Sequence, residues 1–166
     1  VVMARAGARV TAFDLSPGYV AEARERAAVN RVAVECVAAD GEALPFESGS
    51  FDAVWGNAVL HHLDLSRAGR ELYRVMRPGG VAVFCEPWGG NPLLAFARRR
   101  LPYLAPLRTT FPSLEVRGYQ LFGMVRRVWR NRLVCRACDA ADAALLGAVP
   151  ALGNWCRYAV VVLRKG

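Results

Sequence analysis

Lysine is nearly absent from this chain of 166 residues: Lys165 stands alone beside 21 arginines. Apolar runs long enough to span a bilayer are missing, which argues against a helical membrane protein. The first residues, V-V-M-A-R-A-G, lack the basic start, long apolar core and small-residue cleavage site of a secretory leader. Internal repeats, low-complexity tracts and a second domain are missing too. These absences predict a cytoplasmic chain whose five cysteines (Cys36, Cys85, Cys135, Cys138, Cys156) are reduced thiols packed as small hydrophobes. Cys135-Arg136-Ala137-Cys138 is a lone C-x-x-C with no second pair or nearby histidine to complete a zinc site, so no metal is expected.

Hydrophobic residues make up 54% and charged residues 22%, a globular balance. The length suits one domain, residues 1–166, with a real core. The net charge of +8 is uneven: residues 1–86 carry 9 Arg against 11 Asp and Glu, and residues 87–166 carry 13 Arg and Lys against 3. A basic second half is compatible with nucleic acid, an anionic membrane surface or an acidic small substrate. The plainer alternative is arginine spread over solvated faces.

Strand and helix alternate. Arg9 to Asp14 is a short β run ending in an acid, and Ser16-Pro17 then starts a helical Tyr19 to Val29 as N-cap and first residue. Ala33 to Ala39 is a second strand closed by Asp40, and Phe51 to Trp55 a third. Ser66 to Met76 reads as an amphipathic helix, Arg77-Pro78-Gly79-Gly80 as a turn, and Val81 to Cys85 as a strand buried on both faces. This order predicts a doubly wound, mostly parallel α/β sheet. Beyond Glu86 a short helix is expected at Leu93 to Arg100, a strand at Leu114 to Phe122, a helix over Gly123 to Leu146, and a terminal strand at Trp155 to Leu163.

Ligands of open α/β sheets bind beyond the carboxyl ends of the strands. Asp14 stands at such an end, where a carboxylate accepts two hydrogen bonds from a ribose diol; otherwise it is a charge at the start of the next helix. Asp40 stands at the next end, placed to accept from an adenine amine, with Leu15 and Leu44 available to sandwich the ring; otherwise it is a plain loop acid. The two acids at successive strand ends are more specific than either alone. Gly56 permits close backbone approach to a ligand, and Asn57 offers a donor and an acceptor to an amino-acid-like group or caps the next element. His61 and His62 offer a base or a substrate contact, one expected to face the core and the other the loop.

Asp14-Leu15, the run L-P-F-E-S-G-S-F-D-A-V, then V-L-H-H-L and the R-P-G-G turn together resemble the class I S-adenosylmethionine-dependent methyltransferases, of the ubiquinone/menaquinone-biosynthesis type. The resemblance covers residues 5–86 most strongly, and the last two strands are similar to the antiparallel hairpin ending that family's sheet. It implies a cofactor-binding part, residues 1–86, and a substrate-side part with the hairpin, residues 87–166. It implies S-adenosyl-L-methionine as cofactor, with Asp14 on the ribose, Leu15 on adenine, Asp40 on the adenine amine, and Gly41 and Glu42 lining its pocket. It places Asn57 and Ala58 near the methionine moiety; the proton-transfer role of His61 and His62 rests on their own chemistry and not on the resemblance. The family's first strand and glycine-rich turn have no counterpart before Val1. The expectation is a truncated product or a piece of a longer reading frame that binds the cofactor poorly, since two strands lose a shared neighbour.

Trp88, Phe96, Tyr103, Phe111 and Trp129 either line an acceptor cavity or fill the core. Arg126-Arg127 and Arg130-Asn131-Arg132 either meet an anionic surface or form a solvated face. The expected function is methyl transfer to a small quinone-, lipid- or natural-product-like acceptor. The alternatives are a non-catalytic remnant and, less favoured, a nucleic-acid methyltransferase with salt-dependent binding. The oligomeric state is not encoded in these signals.

Overall fold

The computed structural model describes residues 1–88, 104–122, 125, 128, 129 and 131–166, without the side chains of residues 154 and 155. The helix expected at Leu93 to Arg100, the aromatics Phe96 and Tyr103, and Arg126, Arg127 and Arg130 lie outside the described residues. Two compact units divide the chain, Val1–Phe46 and Glu47–Gly166.

The first unit contains α1 (Val2–Arg5), β1 (Val10–Asp14), α2 (Pro17–Val29) and β2 (Val34–Ala38). Strands β1 and β2 run parallel, with Asp14 opposite Ala38. Helix α2 connects them and buries Val20 and Ala27. Pro17 fits the first helical position, where a missing N–H costs nothing. Ser16 is the N-cap, but its hydroxyl makes no capping bond. Its N–H instead donates to Asp14 Oδ1 at 2.8 Å, so the acid, not the serine, shapes this turn. Arg24 donates to the Cys36 carbonyl at 2.7 Å and ties helix to strand.

The second unit contains β3 (Phe51–Asn57), α3 (Leu65–Val75), β4 (Met76–Pro87), α4 (Ala105–Thr110), β5 (Ser113–Tyr119), α5 (Arg132–Ala148) and β6 (Tyr158–Arg164). Its sheet has the order β3-β4-β6-β5. The first pair is parallel, and β6 runs antiparallel to both β4 and β5, which forms the expected terminal hairpin. The hairpin strands begin and end a few residues from the limits read in the sequence. Among the described residues, β1 ladders only with β2, and β3 only with β4. Again among those residues, no helix is long and apolar enough to cross a membrane.

Strand β4 is not buried on both faces, contrary to the reading of its apolar run. Ala82, Phe84 and Glu86 are buried, while Val81, Val83 and Cys85 are only half-buried. The buried face joins Leu60, Leu65, Leu72, Leu107, Phe111, Ala159, Val161 and Leu163 in one core. Asp64 caps α3 by accepting from the N–H groups of Ser66 and Arg67 at 2.8 and 3.3 Å. At the other end Lys165 Nζ donates to the Tyr73 and Met76 carbonyls at 2.7 and 2.8 Å and lies 4.5 Å from the Tyr73 ring centre. The single lysine thus closes a helix C-terminus, where a cation opposes the helix dipole.

The Arg77–Gly80 turn lies inside β4 rather than before it. The β3–β4 register jumps from Phe51↔Met76 to Ala53↔Val81, so these residues bulge from the ladder. Gly79 takes φ +75° there. Its N–H donates to the Lys165 carbonyl at 3.1 Å, and Arg77 pairs with Asp52.

Candidate functional site

In the first unit Asp14 and Asp40 leave the same carboxyl end of the β1–β2 ladder. The Ala39 N–H donates to the Asp14 carbonyl at 3.0 Å, which brings the two strand ends together. Asp14 Oδ1 is held by Ser16, while Oδ2 takes no hydrogen bond among the described residues. Asp40 Oδ1 accepts from the Glu42 N–H at 2.9 Å and closes a tight turn with Ala43. Both carboxylates are solvent-exposed. Leu15 is 74% exposed beside Asp14, whereas Leu44 is buried, so Leu15 alone presents an open apolar face and the expected leucine sandwich is not formed. Gly41 and Glu42 are half-buried in the Asp40 turn. An exposed acceptor, a neighbouring acceptor at the next strand end and an open apolar side chain fit an adenosine group.

In the second unit β3 ends at Asn57, whose side chain is exposed and does not cap the following turn. Ala58 follows with φ +53°, a left-handed conformation uncommon for a residue with a Cβ, and its N–H donates to the Cys85 carbonyl at 2.8 Å. In the sequence Gly56 looks like a point of close backbone approach for a ligand. A Cβ there would come within 2.5 Å of the Phe84 ring, so the space is filled by the protein's own core.

The residue that sequence reasoning passed over is Glu86. It is 2% exposed at the end of β4. Its Oε1 accepts from the N–H groups of Val59 and Leu60 at 2.9 and 3.0 Å, and its Oε2 lies 2.7 Å from His61 Nδ1. The available signal was an acid terminating an otherwise apolar strand. Neither histidine faces the core: both are exposed, with ring centres 4.0 Å apart.

A cavity of about 490 Å³ also lies in the second unit, lined by Trp88, Leu104, Val116 and Pro150 together with Arg108 and Arg117. Trp88 both lines it and joins the core, Phe111 packs edge-on to Tyr73 at 5.4 Å, and Trp129 is 64% exposed and, among the described residues, serves neither purpose. Nearby, burial and then the Cys85 thiol at its hydroxyl push Tyr119 above the usual phenol range. Burial, followed by the charge of Asp142, pushes the Cys156 thiol up. Cys135 and Cys138 lie inside α5, not at a metal-binding turn.

Parallel strands with acids at successive carboxyl ends, followed by an antiparallel hairpin, define the Rossmann-like methyltransferase fold. The chain belongs to the class I S-adenosylmethionine-dependent methyltransferases: the family model described as "Methyltransferase domain" matches residues 1–84. Among curated proteins it is similar to the malonyl-[acyl-carrier protein] O-methyltransferase of Enterobacter lignolyticus (strain SCF1), at 47% identity over 85% of this chain and 45% of that protein. It is also similar to the demethylmenaquinone methyltransferase of Thermus thermophilus, at 38% identity over 61% of this chain and 49% of that protein. The chain spans about half the length of these relatives. Among solved structures, the geranyl diphosphate C-methyltransferase of Streptomyces coelicolor A3(2) aligns with a TM-score of 0.67 at 20% identity, covering 99% of this chain and 66% of that one. The [4+2]-cyclase SpnF aligns with a TM-score of 0.61 at 22% identity, covering 99% of this chain and 68% of that one. These likenesses concern the fold alone, which hosts more than one chemistry.

Proposed function

We propose that this chain carries the adenosine-binding residues and catalytic-side turn of a methyltransferase that uses S-adenosyl-L-methionine on a small acceptor. The observation that carries the reading is the pair Asp14 and Asp40 at the shared carboxyl end of β1 and β2. Asp14 Oδ2 accepts from the ribose hydroxyls, Leu15 packs on adenine, and Asp40 accepts from the adenine amine, with Gly41 and Glu42 lining that pocket. Asn57 and Ala58 are assigned to the methionine side by family resemblance, and His61 and His62 to proton transfer by their imidazole chemistry. The cofactor, when bound, supplies a methyl group made electrophilic by its sulfonium. The protein's contribution is alignment and exclusion of water, which together remove about 7–11 kcal/mol of barrier in well-oriented reactions.

The cavity beside Trp88 is the proposed acceptor site, with an apolar wall and two arginines, Arg108 and Arg117, in its lining. Two acceptor chemistries have support among the relatives: a carboxylate, as in malonyl-[acyl-carrier protein], and a quinol-like ring, as in demethylmenaquinone. A cytoplasmic setting is part of the proposal, supported by five cysteines that remain free thiols. The test is formation of S-adenosylhomocysteine with two probes, 1,4-dihydroxynaphthalene and malonyl-N-acetylcysteamine. Turnover of either supports methyl transfer, and which one reacts assigns the acceptor class. Absence of turnover with both, in a folded protein saturated with the cofactor, contradicts the reading.

A further inference from the structure

We propose that Glu86 is a positioning residue that fixes His61 in one tautomer, with Nδ1 protonated and Nε2 open as the proton acceptor for the methyl-accepting substrate. The inference deepens the proposed function and rests on it for the identity of the reaction, but its structural half stands apart.

Glu86 is held from two sides. The N–H groups of Val59 and Leu60 both point at Oε1, at 2.9 and 3.0 Å. That leaves Oε2 to face His61 Nδ1 at 2.7 Å. A carboxylate only accepts, so the proton between them belongs to Nδ1, and the neutral ring then carries its lone pair on Nε2. With its side chain 37% exposed, His61 keeps the rest of the ring in reach of solvent and ligand. His62, its neighbour, has no such partner among the described residues. An apolar residue at position 86 would fill the end of β4 as well as glutamate does, and would avoid burying a charge. What the glutamate adds is a fixed turn after β3 and a fixed imidazole.

This arrangement suits an acceptor that arrives with a proton on or beside its reacting atom, such as a phenol, an enol or a C–H acid, rather than a carboxylate. The proton of that O–H or C–H bond goes to His61 Nε2. The electron pair it leaves forms the new bond to the methyl carbon, and the pair of the broken C–S bond stays on sulfur. The imidazolium so formed lies against the Glu86 carboxylate, which offsets its charge.

The experiment begins with the wild-type chain and no ligand. Long-range proton–nitrogen NMR of the neutral histidine rings is expected to show His61 protonated at Nδ1. A spectrum showing His61 protonated at Nε2 would overturn the positioning role, whatever the enzyme does. Glu86→Gln supplies the second arm. The two backbone N–H groups keep hold of the amide oxygen, so its NH2 faces Nδ1 and the ring is forced to the opposite tautomer. The expected result is an inverted tautomer and a kcat with 1,4-dihydroxynaphthalene lowered about 100-fold or more, with KM for S-adenosylmethionine unchanged. An inverted tautomer with undiminished kcat would overturn the proton-acceptor role. Failure of the wild type to methylate any probe would count against the proposed function, and the tautomer in the wild-type spectrum would still decide the role of Glu86.

Discussion

Gly56 lies directly against the ring of Phe84, so close that a Cβ at position 56 would stand 2.5 and 2.6 Å from two ring carbons and 2.9 Å from a Val59 methyl. The glycine that looks like a ligand clearance in the sequence is a packing clearance in the fold. Phe84 is 3% exposed and part of the central core, so the ring has no room to retreat. Gly56→Ala is expected to destabilise the protein by about 1–3 kcal/mol through overpacking, read by urea denaturation. Stability equal to wild type would mean that Phe84 repacks freely.

Ala58, two residues on, is held at φ +53° by its N–H bond to the Cys85 carbonyl. The left-handed region costs a residue with a Cβ about 1–2 kcal/mol, and glycine escapes that cost. Ala58→Gly is therefore expected to leave stability unchanged or to raise it by up to about 1 kcal/mol after the added unfolded-state entropy is counted. Ala58→Val is expected to lower it. Chemical denaturation of the two variants together checks the sign.

Lys165 is the only lysine, and its ammonium bonds two carbonyls at the end of α3 while lying over Tyr73. Lys165→Met keeps most of the apolar stem and removes both bonds. The expected loss is about 1–3 kcal/mol, since bonds to charged groups are worth more than neutral ones and the carbonyls are left uncapped. A thermal melt of the variant measures it. Lys165→Arg is not expected to restore the loss fully, because a planar guanidinium does not match two convergent carbonyls as an ammonium does.

Cys156 is fully buried, and both burial and the neighbouring Asp142 raise its pKa, which lowers its thiolate fraction at any given pH. Alkylation by iodoacetamide at neutral pH is expected to spare Cys156 in the native protein and to modify the half-buried Cys85 and Cys135 before it. Asp142→Asn removes the second cause and is expected to shift the onset of Cys156 alkylation to lower pH. Mass spectrometry of the labelled peptides reads both outcomes.

The order of strands and helices was legible because it is written in local patterns: Asp14 ends β1, Asp40 follows β2 by two residues, Ser16-Pro17 opens α2, and Leu72 and Val75 mark the buried stripe of α3. The place of the two carboxylates in the fold was legible for the same reason, Asp14 as the last residue of β1 and Asp40 two residues past β2. Three features were not. The apolar run Val81 to Cys85 suggests burial on both faces, yet only alternate residues are covered, because what covers a strand is decided by distant elements. The role of Gly56 depends on Phe84, a register partner that no local signal names. The bond from Glu86 to His61 joins residues 25 apart in sequence and exists only once β3 and β4 are paired.

The most direct test of the adenosine site is a titration of the chain with S-adenosylmethionine, followed by backbone amide NMR, for the wild type and Asp14→Asn. Asparagine keeps an oxygen for the Ser16 N–H, so the turn survives, but it replaces the free carboxylate oxygen by a donor. Saturable shifts are predicted at Leu15, Gly41 and Glu42, with Asp14→Asn weakening the affinity about 10- to 100-fold, the worth of a hydrogen bond to a charged group. Shifts that bypass these residues, or an Asp14→Asn variant that binds as well as the wild type, would contradict the assignment of this strand end to the cofactor.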